Sequence, residues 1–201
     1  MWIVVGRAMG SLTVGPGADR LAPLAVLAAT IAAISEPAPT IRLATRDDLE
    51  AIVGLYNATI PGRTATAQLE PVTVEEREPW FHASTPDRRP LWVAENAAGE
   101  IVAWVGLSDF HPRAAYHVTA QISIYLRDDV RGQGLGGRLL DHAIAESPGV
   151  GVSALIGLVF AHNAASLALF ASRGFERWGH MPRVADMDGV PRDLVYVGRH
   201  V

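Results

Sequence analysis

From Thr40 onward the apolar positions of the chain switch between two periods, and the switches mark its elements. Ile41–Ala44 reads as a short strand. Thr45 stands where a helix cap belongs, ahead of Leu49, Ile52, Val53 and Tyr56, whose spacing puts them on one helical face. Thr73-Val74-Glu75-Glu76 is a capping box and predicts a second helix running to about Ala83. The stretch Pro61–Pro71 between them is polar and threonine-rich, as a loop would be. Leu91–Glu95 and Glu100–Leu107 flank Asn96-Ala97-Ala98-Gly99, the pattern of a β-hairpin. In Val118–Leu126, Ile122, Ile124 and Leu126 alternate with Gln121, Ser123 and Tyr125, which predicts a strand. A helix is predicted over Leu135–Glu146. Ala154–Phe160 is almost unbroken apolar sequence, a strand covered on both faces. Ala164–Arg173 predicts a helix closed by Gly174, and Glu176–Met181 and Asp193–Val197 read as the last strands. The order β-α-α-β-β-β-α-β-α-β-β predicts an α/β fold, a mixed sheet with helices on its faces.

Residues 1–39 break this order. They carry few charges (Arg7, Asp19, Arg20, Glu36) and an apolar run, Leu21 to Ile34, interrupted by Pro23 and Thr30. The run is shorter than the roughly 18 apolar residues that span a bilayer. It resembles the apolar part of a signal peptide, with Arg20 before it. The reading favoured here is a poorly ordered N-terminal extension ahead of one domain over residues 40–201, with Pro37 and Pro39 as linker.

Composition narrows the chemistry. All 17 basic residues are arginine, there is no cysteine, and the formal net charge is −4. Thiol nucleophiles, disulfides, thiolate metal sites and lysine Schiff bases are thereby excluded. No basic surplus points to nucleic acid, and no His/Asp/Glu spacing suggests a metal.

The sharpest local signal is Arg131-Gly132-Gln133-Gly134-Leu135-Gly136-Gly137, between a strand and an amphipathic helix. Four glycines let a ligand approach the backbone, and a helix start supplies unpaired N–H groups and the positive end of its dipole. That combination suits a phosphate or diphosphate. A Walker loop is excluded because it needs lysine. Gly132, Gly134 and Gly137 satisfy G-x-G-x-x-G, but a dinucleotide fingerprint should follow its strand directly, and Arg127–Val130 intervenes. The next strand also ends in Phe160-Ala161-His162-Asn163, without the acid that fingerprint requires.

Arg131-x-x-Gly134-x-Gly136 is similar to the Arg/Gln-x-x-Gly-x-Gly/Ala motif of the GNAT superfamily. From Thr40 to Val197 the chain resembles its phosphinothricin/methionine sulfoximine N-acetyltransferase group, through Thr64-Ala65-Thr66, Glu70-Pro71, Arg113-Ala114-Ala115-Tyr116, Ile124-Tyr125-Leu126, Asn163-x-x-Ser166 and Gly174-Phe175. The resemblance implies a GNAT fold: a mixed, mostly antiparallel sheet splayed at its fourth and fifth strands, with helices on both faces. It implies acetyl-CoA as co-substrate and no metal. The diphosphate would lie on Arg131, Gly132, Gln133, Gly134, Leu135, Gly136 and Gly137. The pantetheine arm would lie against Ile124, Tyr125 and Leu126, and Asn163 would touch it. It further implies a small-molecule amine as acceptor, a homodimer, and a cytoplasmic setting without nucleic-acid or membrane partners.

Two positions depart from that group. The glutamate proposed as its general base falls at Gln121, and its histidine, or tyrosine elsewhere in the superfamily, falls at Phe170. Neither residue titrates, although an amide can orient a water or the amine. Gln121 and Asp193 are the candidate catalytic side chains, the latter able to pair with an ammonium or to cap a turn beside Arg192. Arg113 and Tyr116 could meet a carboxylate or phosphinate, and His111, His117 and His162 are other proton carriers. Two rival functions remain: a transferase acting on protein or peptide N-termini, favoured by a wide groove between Pro61–Pro71 and Pro182–Pro191, and a non-catalytic acyl-CoA-binding module.

Overall fold

The structure is a computed structural model and describes residues 37–201. The expected N-terminal extension therefore lies, except for its last three residues, outside the described residues. The elements are β1 (Thr40–Leu43), α1 (Leu49–Ala58), α2 (Val74–Ala83), β2 (Leu91–Glu95), β3 (Ile101–Asp109), β4 (Thr119–Leu126), α3 (Leu135–Glu146), β5 (Ala154–Phe160), α4 (Ala164–Ala171), β6 (Glu176–Met187) and β7 (Val190–His200).

All seven strands form one sheet, in the order β1-β2-β3-β4-β5-β7-β6. Every neighbouring pair is antiparallel except β4 and β5. Side-chain alternation splits the core in two. Trp92 and Ala94 of β2 pack with Leu135, Leu139, Leu140 and Ala143 of α3 on one face. Leu91 and Val93 pack with Ile52 and Leu55 of α1 on the other. Helices thus cover both faces, as expected.

Local chemistry fixes the helix starts. Thr73 Oγ1 accepts from the Glu76 N–H, and Glu76 Oε2 accepts from the Thr73 N–H at 2.8 Å, the predicted capping box. Thr45 caps a 3-10 turn, Arg46–Asp48, that runs directly into α1. There Asp48 Oδ2 accepts from the Thr45 N–H at 2.7 Å and pairs with Arg42 Nη1 at 2.7 Å. Arg42 also reaches Glu95, so β1, α1 and β2 share one guanidinium. That guanidinium, in the first place, holds the Asp48 carboxyl below its usual range.

The C-terminal region departs most from expectation. The two short strands predicted at Glu176–Met181 and Asp193–Val197 are halves of a long hairpin, Glu176–Met187 with Val190–His200. β6 is the sheet edge and is exposed along almost its whole length, so no apolar alternation marks it. Its register also shifts between Met181 and Ala185, where Arg183 takes a left-handed φ of 53°. α4 ends at Ala171 rather than Arg173, and Gly174 turns the chain with φ 75°.

Candidate active site

β4 and β5 pair in parallel only over Thr119–Gln121 and Ala154–Ile156. Beyond Gln121, β4 continues to Leu126 with β3 alone as its sheet neighbour. The splay exposes a backbone edge that an extended amide ligand can pair with. Two cavities flank it, one of about 690 Å³ toward the start of α3 and one of about 570 Å³ under α1 and α2. Thr64, Ala65, Ile124, Tyr125, Asn163 and Ser166 border both, so the two meet at the splayed strand.

The first cavity contains most of the residues expected to hold the cofactor. Ile124, Tyr125, Leu126, Arg131, Gly132, Gly134, Gly136, Gly137 and Asn163 line it. Gln133 and Leu135 do not. The Gln133 amide donates to Asp129 O at 2.7 Å, and the Leu135 side chain is core. Any part they play is through their backbone. Gly132 and Gly134 sit at φ 73° and 84°, where other residues are strained, and a Cβ on either would meet nothing within 4 Å. The first bond of α3 runs from Arg138 N to Gly134 O at 3.1 Å. Among the described residues, no protein group accepts from the backbone N–H groups of residues 132–137. The loop therefore offers a row of free donors at a helix start, the arrangement a diphosphate requires. Asn163 has two tasks: its Oδ1 caps α4 through the Ser166 N–H at 3.0 Å, and its Nδ2 donates to Thr64 O at 3.0 Å.

The second cavity is walled by aromatic rings. Tyr125 stacks on Trp104 at 4.6 Å and lies 5.2 Å from Tyr56, while Trp80 lies 5.6 Å from Trp104. Gln121 lines this cavity, level with Ser108 on β3. Phe170 lines it too, packed edge-on against Phe175 at 4.9 Å. The titratable side chains in its wall are Tyr56, Arg77 and Tyr125. Burial pushes the Tyr125 phenol well above its ordinary value, so it stays protonated at neutral pH.

The Pro61–Pro71 loop and the β6–β7 hairpin are bridged. Arg63 Nε, on the Pro61–Pro71 loop, meets Asp188 Oδ2 at 2.7 Å at the tip of the β6–β7 hairpin. Arg63 Nη1 also donates to Leu69 O at 2.8 Å, and His162 Nε2 lies 3.0 Å from Arg63 O. Both Arg63 and Asp188 have positive φ, 51° and 57°. Such backbone persists only where the surroundings hold it.

The remaining candidates lie outside the lining of both cavities. Asp193 accepts from the Arg183 N–H at 2.9 Å and pairs with His180 Nε2 at 2.8 Å. These two partners, the amide first, hold its carboxyl below the usual range. Asp193 thus braces the bulge whose Val184 and Ala185 form part of the acceptor-side wall. Tyr116 packs on Phe110 and His111 at the surface, and His117 Nδ1 lies 2.8 Å from Ala114 O. Sequence reasoning missed Arg77, His180 and the Arg63–Asp188 pair. Arg77 and Trp80, three apart on a helix, were a legible pair; Arg63 and Asp188, 125 positions apart, left no local signal.

Comparison with known proteins agrees with this geometry. The profile of the Acetyltransferase (GNAT) family matches residues 49–175. YwnH of Bacillus subtilis, provisionally named a phosphinothricin acetyltransferase, is 45% identical over 162 residues, covering 81% of this chain and 99% of its own. An L-methionine sulfoximine/L-methionine sulfone acetyltransferase of Pseudomonas paraeruginosa is 35% identical over 158 residues, 79% of this chain and 92% of its own. A GNAT superfamily phosphinothricin acetyltransferase from Sinorhizobium meliloti, solved in complex with AcCoA, superposes with a TM-score of 0.78 at 27% identity, over 82% of this chain and 89% of that one. Splayed sheet, glycine cradle, family profile and relatives agree: the chain belongs to the GNAT family of acetyltransferases.

Proposed function

We propose that this enzyme transfers the acetyl group of acetyl-CoA to the primary amine of a small amino acid or analogue, of the phosphinothricin or methionine sulfoximine kind. One observation carries the reading: the free N–H row of residues 132–137 leads along an open strand edge into a cavity of about 570 Å³. A cavity of that size suits a small molecule, and relatives named for such acceptors support the choice.

Bound acetyl-CoA supplies a thioester whose acetyl carbon accepts the amine's lone pair while the C–S bond breaks and one proton leaves the nitrogen. The chain contributes position and polarity. The row of N–H groups takes the diphosphate, and the edge of β4 aligns the pantetheine so that its end reaches the junction of the two cavities. A backbone N–H near Leu126 would stabilise the developing oxyanion. Attack is direct, since the sequence holds no cysteine to form an acyl-enzyme. Gln121 accepts a hydrogen bond from the amine or a relay water, and Asp193 acts one step removed, positioning the hairpin wall. The amine reacts from its own free-base fraction.

The Arg63–Asp188 bridge between the Pro61–Pro71 loop and the hairpin disfavours a peptide N-terminus, which needs an open groove there. Gln121 and Phe170 are the features that favour a binding module without turnover. The outer edge of β6, with Trp178, Met181 and Val184 exposed, supports a homodimer, and the need for acetyl-CoA supports a cytoplasmic setting.

A CoA-release screen over amino acids, their sulfoximine and phosphinate analogues and short peptides tests the reading, beside thermal stabilisation by acetyl-CoA. Stabilisation with turnover of the small amino acids is expected. Stabilisation without any turnover would establish the binding module, turnover of peptides alone the N-terminal transferase, and no stabilisation would reject all three.

A further inference from the structure

Arg77 is the one formally charged residue in the wall of the acceptor cavity. It lies in the first turn of α2 and is partly buried. Its guanidinium sits over the Tyr56 ring, 4.2 Å from the centroid, with the Trp80 ring at 5.7 Å. An arginine drawn out of water ordinarily has a carboxylate beside it. Among the described residues Arg77 has neither an ion pair nor a hydrogen bond to its side chain.

The acids on its own helix are otherwise engaged. Glu76 accepts from the Thr73 N–H, and Glu78 pairs with Arg46 and lies 3.4 Å from His82. Glu75 is exposed, and a backbone amide with Thr73 holds its carboxyl below the usual range. The remainder of the cavity wall is apolar or neutral: the aromatic rings, Ser108, Gln121 and Ser123. The cavity therefore carries a positive potential with no internal counter-charge. The Tyr56 ring holds the guanidinium carbon at 4.2 Å, and its fork of N–H donors is without a protein partner among the described residues. A fork of that shape matches two oxygens of one anionic group.

We propose that Arg77 is the anchor for an anionic group of the acceptor, a carboxylate or phosphinate held by two oxygens, and that it restricts the enzyme to amines bearing such a group. The proposal rests on the reading of this cavity as the acceptor side. Recognition then runs through the anionic end of the molecule. The amine end meets no carboxylate in the wall and is left free for the thioester.

The test compares L-methionine sulfoximine with its carboxamide, which keeps the amine and the side chain but lacks the charge. Affinity in the presence of CoA is read by calorimetry, and turnover by CoA release, for the wild-type protein, Arg77→Gln and Arg77→Lys. Removing a hydrogen-bonded charge contact should weaken binding of the acid on the order of 10–100-fold in Arg77→Gln. The carboxamide should change by less than about 3-fold, because it never made the charged contact. Arg77→Lys should fall between, keeping the charge and losing the fork. Affinity for acetyl-CoA should be unchanged in all three, which separates the effect from misfolding. Equal losses for acid and carboxamide, or a wild-type protein that binds both equally, would overturn the proposal. Failure of the wild-type protein to turn over any amine bears instead on the transferase reading, since the calorimetric contrast stands without turnover.

Discussion

Asp48 and Gln121 show how single residues divide between the fold and the proposed chemistry. Asp48 belongs to the fold: it is 7% exposed and held by Arg42 and the Thr45 N–H. Its folded pKa is depressed, so its contribution is fully present above the unfolded value of about 3.9 and is lost as pH falls through the folded value. Asp48→Asn should cost about 1–3 kcal/mol at pH 7. The gap to wild type should close as pH falls below about 4, which urea unfolding at a series of pH values reads directly. Gln121, in the cavity wall, is the residue proposed for the chemistry. Gln121→Ala should lower kcat on the order of 10-fold, the worth of one directed hydrogen bond, and leave KM for acetyl-CoA unchanged. In both proteins kcat/KM should rise with pH until the acceptor's own amine is free, because the cavity wall holds no carboxylate and no imidazole among the described residues. Unchanged turnover in Gln121→Ala would remove that residue from the mechanism.

At the scale of elements, sequence and structure agree wherever one face of an element is buried. α3 was legible because Leu135, Leu139, Leu140 and Ala143 repeat at helical spacing and all enter the core. β5 was legible because both its faces are covered. The glycine cradle was legible because it is local, seven successive residues at one helix start. β6 was not: an exposed edge strand carries no apolar alternation, and the shift at Met181–Ala185 breaks what period remains. The acceptor side was illegible for a different reason. Arg77 enters the cavity wall from a helix, and Arg63 meets Asp188 from a loop and a hairpin tip, only through the tertiary fold. The Arg63–Asp188 pair joins two of these, and as an exposed pair its net worth is small, at most about 1 kcal/mol. Either Arg63→Gln or Asp188→Asn should therefore raise KM for the acceptor by about 2–5-fold with KM for acetyl-CoA unaffected. The reversed pair, Arg63→Asp with Asp188→Arg, should recover part of the loss. Steady-state kinetics of the four proteins decide this, and identical acceptor KM values would mean that the pair plays no part in holding the acceptor.

For the whole molecule, one geometric fact organises the rest. The sheet opens after Gln121; on one side of the opening stands a helix start with unoccupied donors, and on the other a cavity with a single positive charge. Under the proposed function, donor and acceptor take opposite sides of one strand, and the outer hairpin serves twice, as acceptor wall and as the exposed apolar edge proposed to meet a second copy. The most direct test of this arrangement is a crystal structure of the protein with acetyl-CoA. The diphosphate oxygens should lie about 3 Å from the backbone nitrogens of residues 132–137, and the pantetheine amides should bond to β4 between Ile122 and Leu126. A diphosphate bound elsewhere, or those nitrogens already bonded to protein groups, would contradict the account.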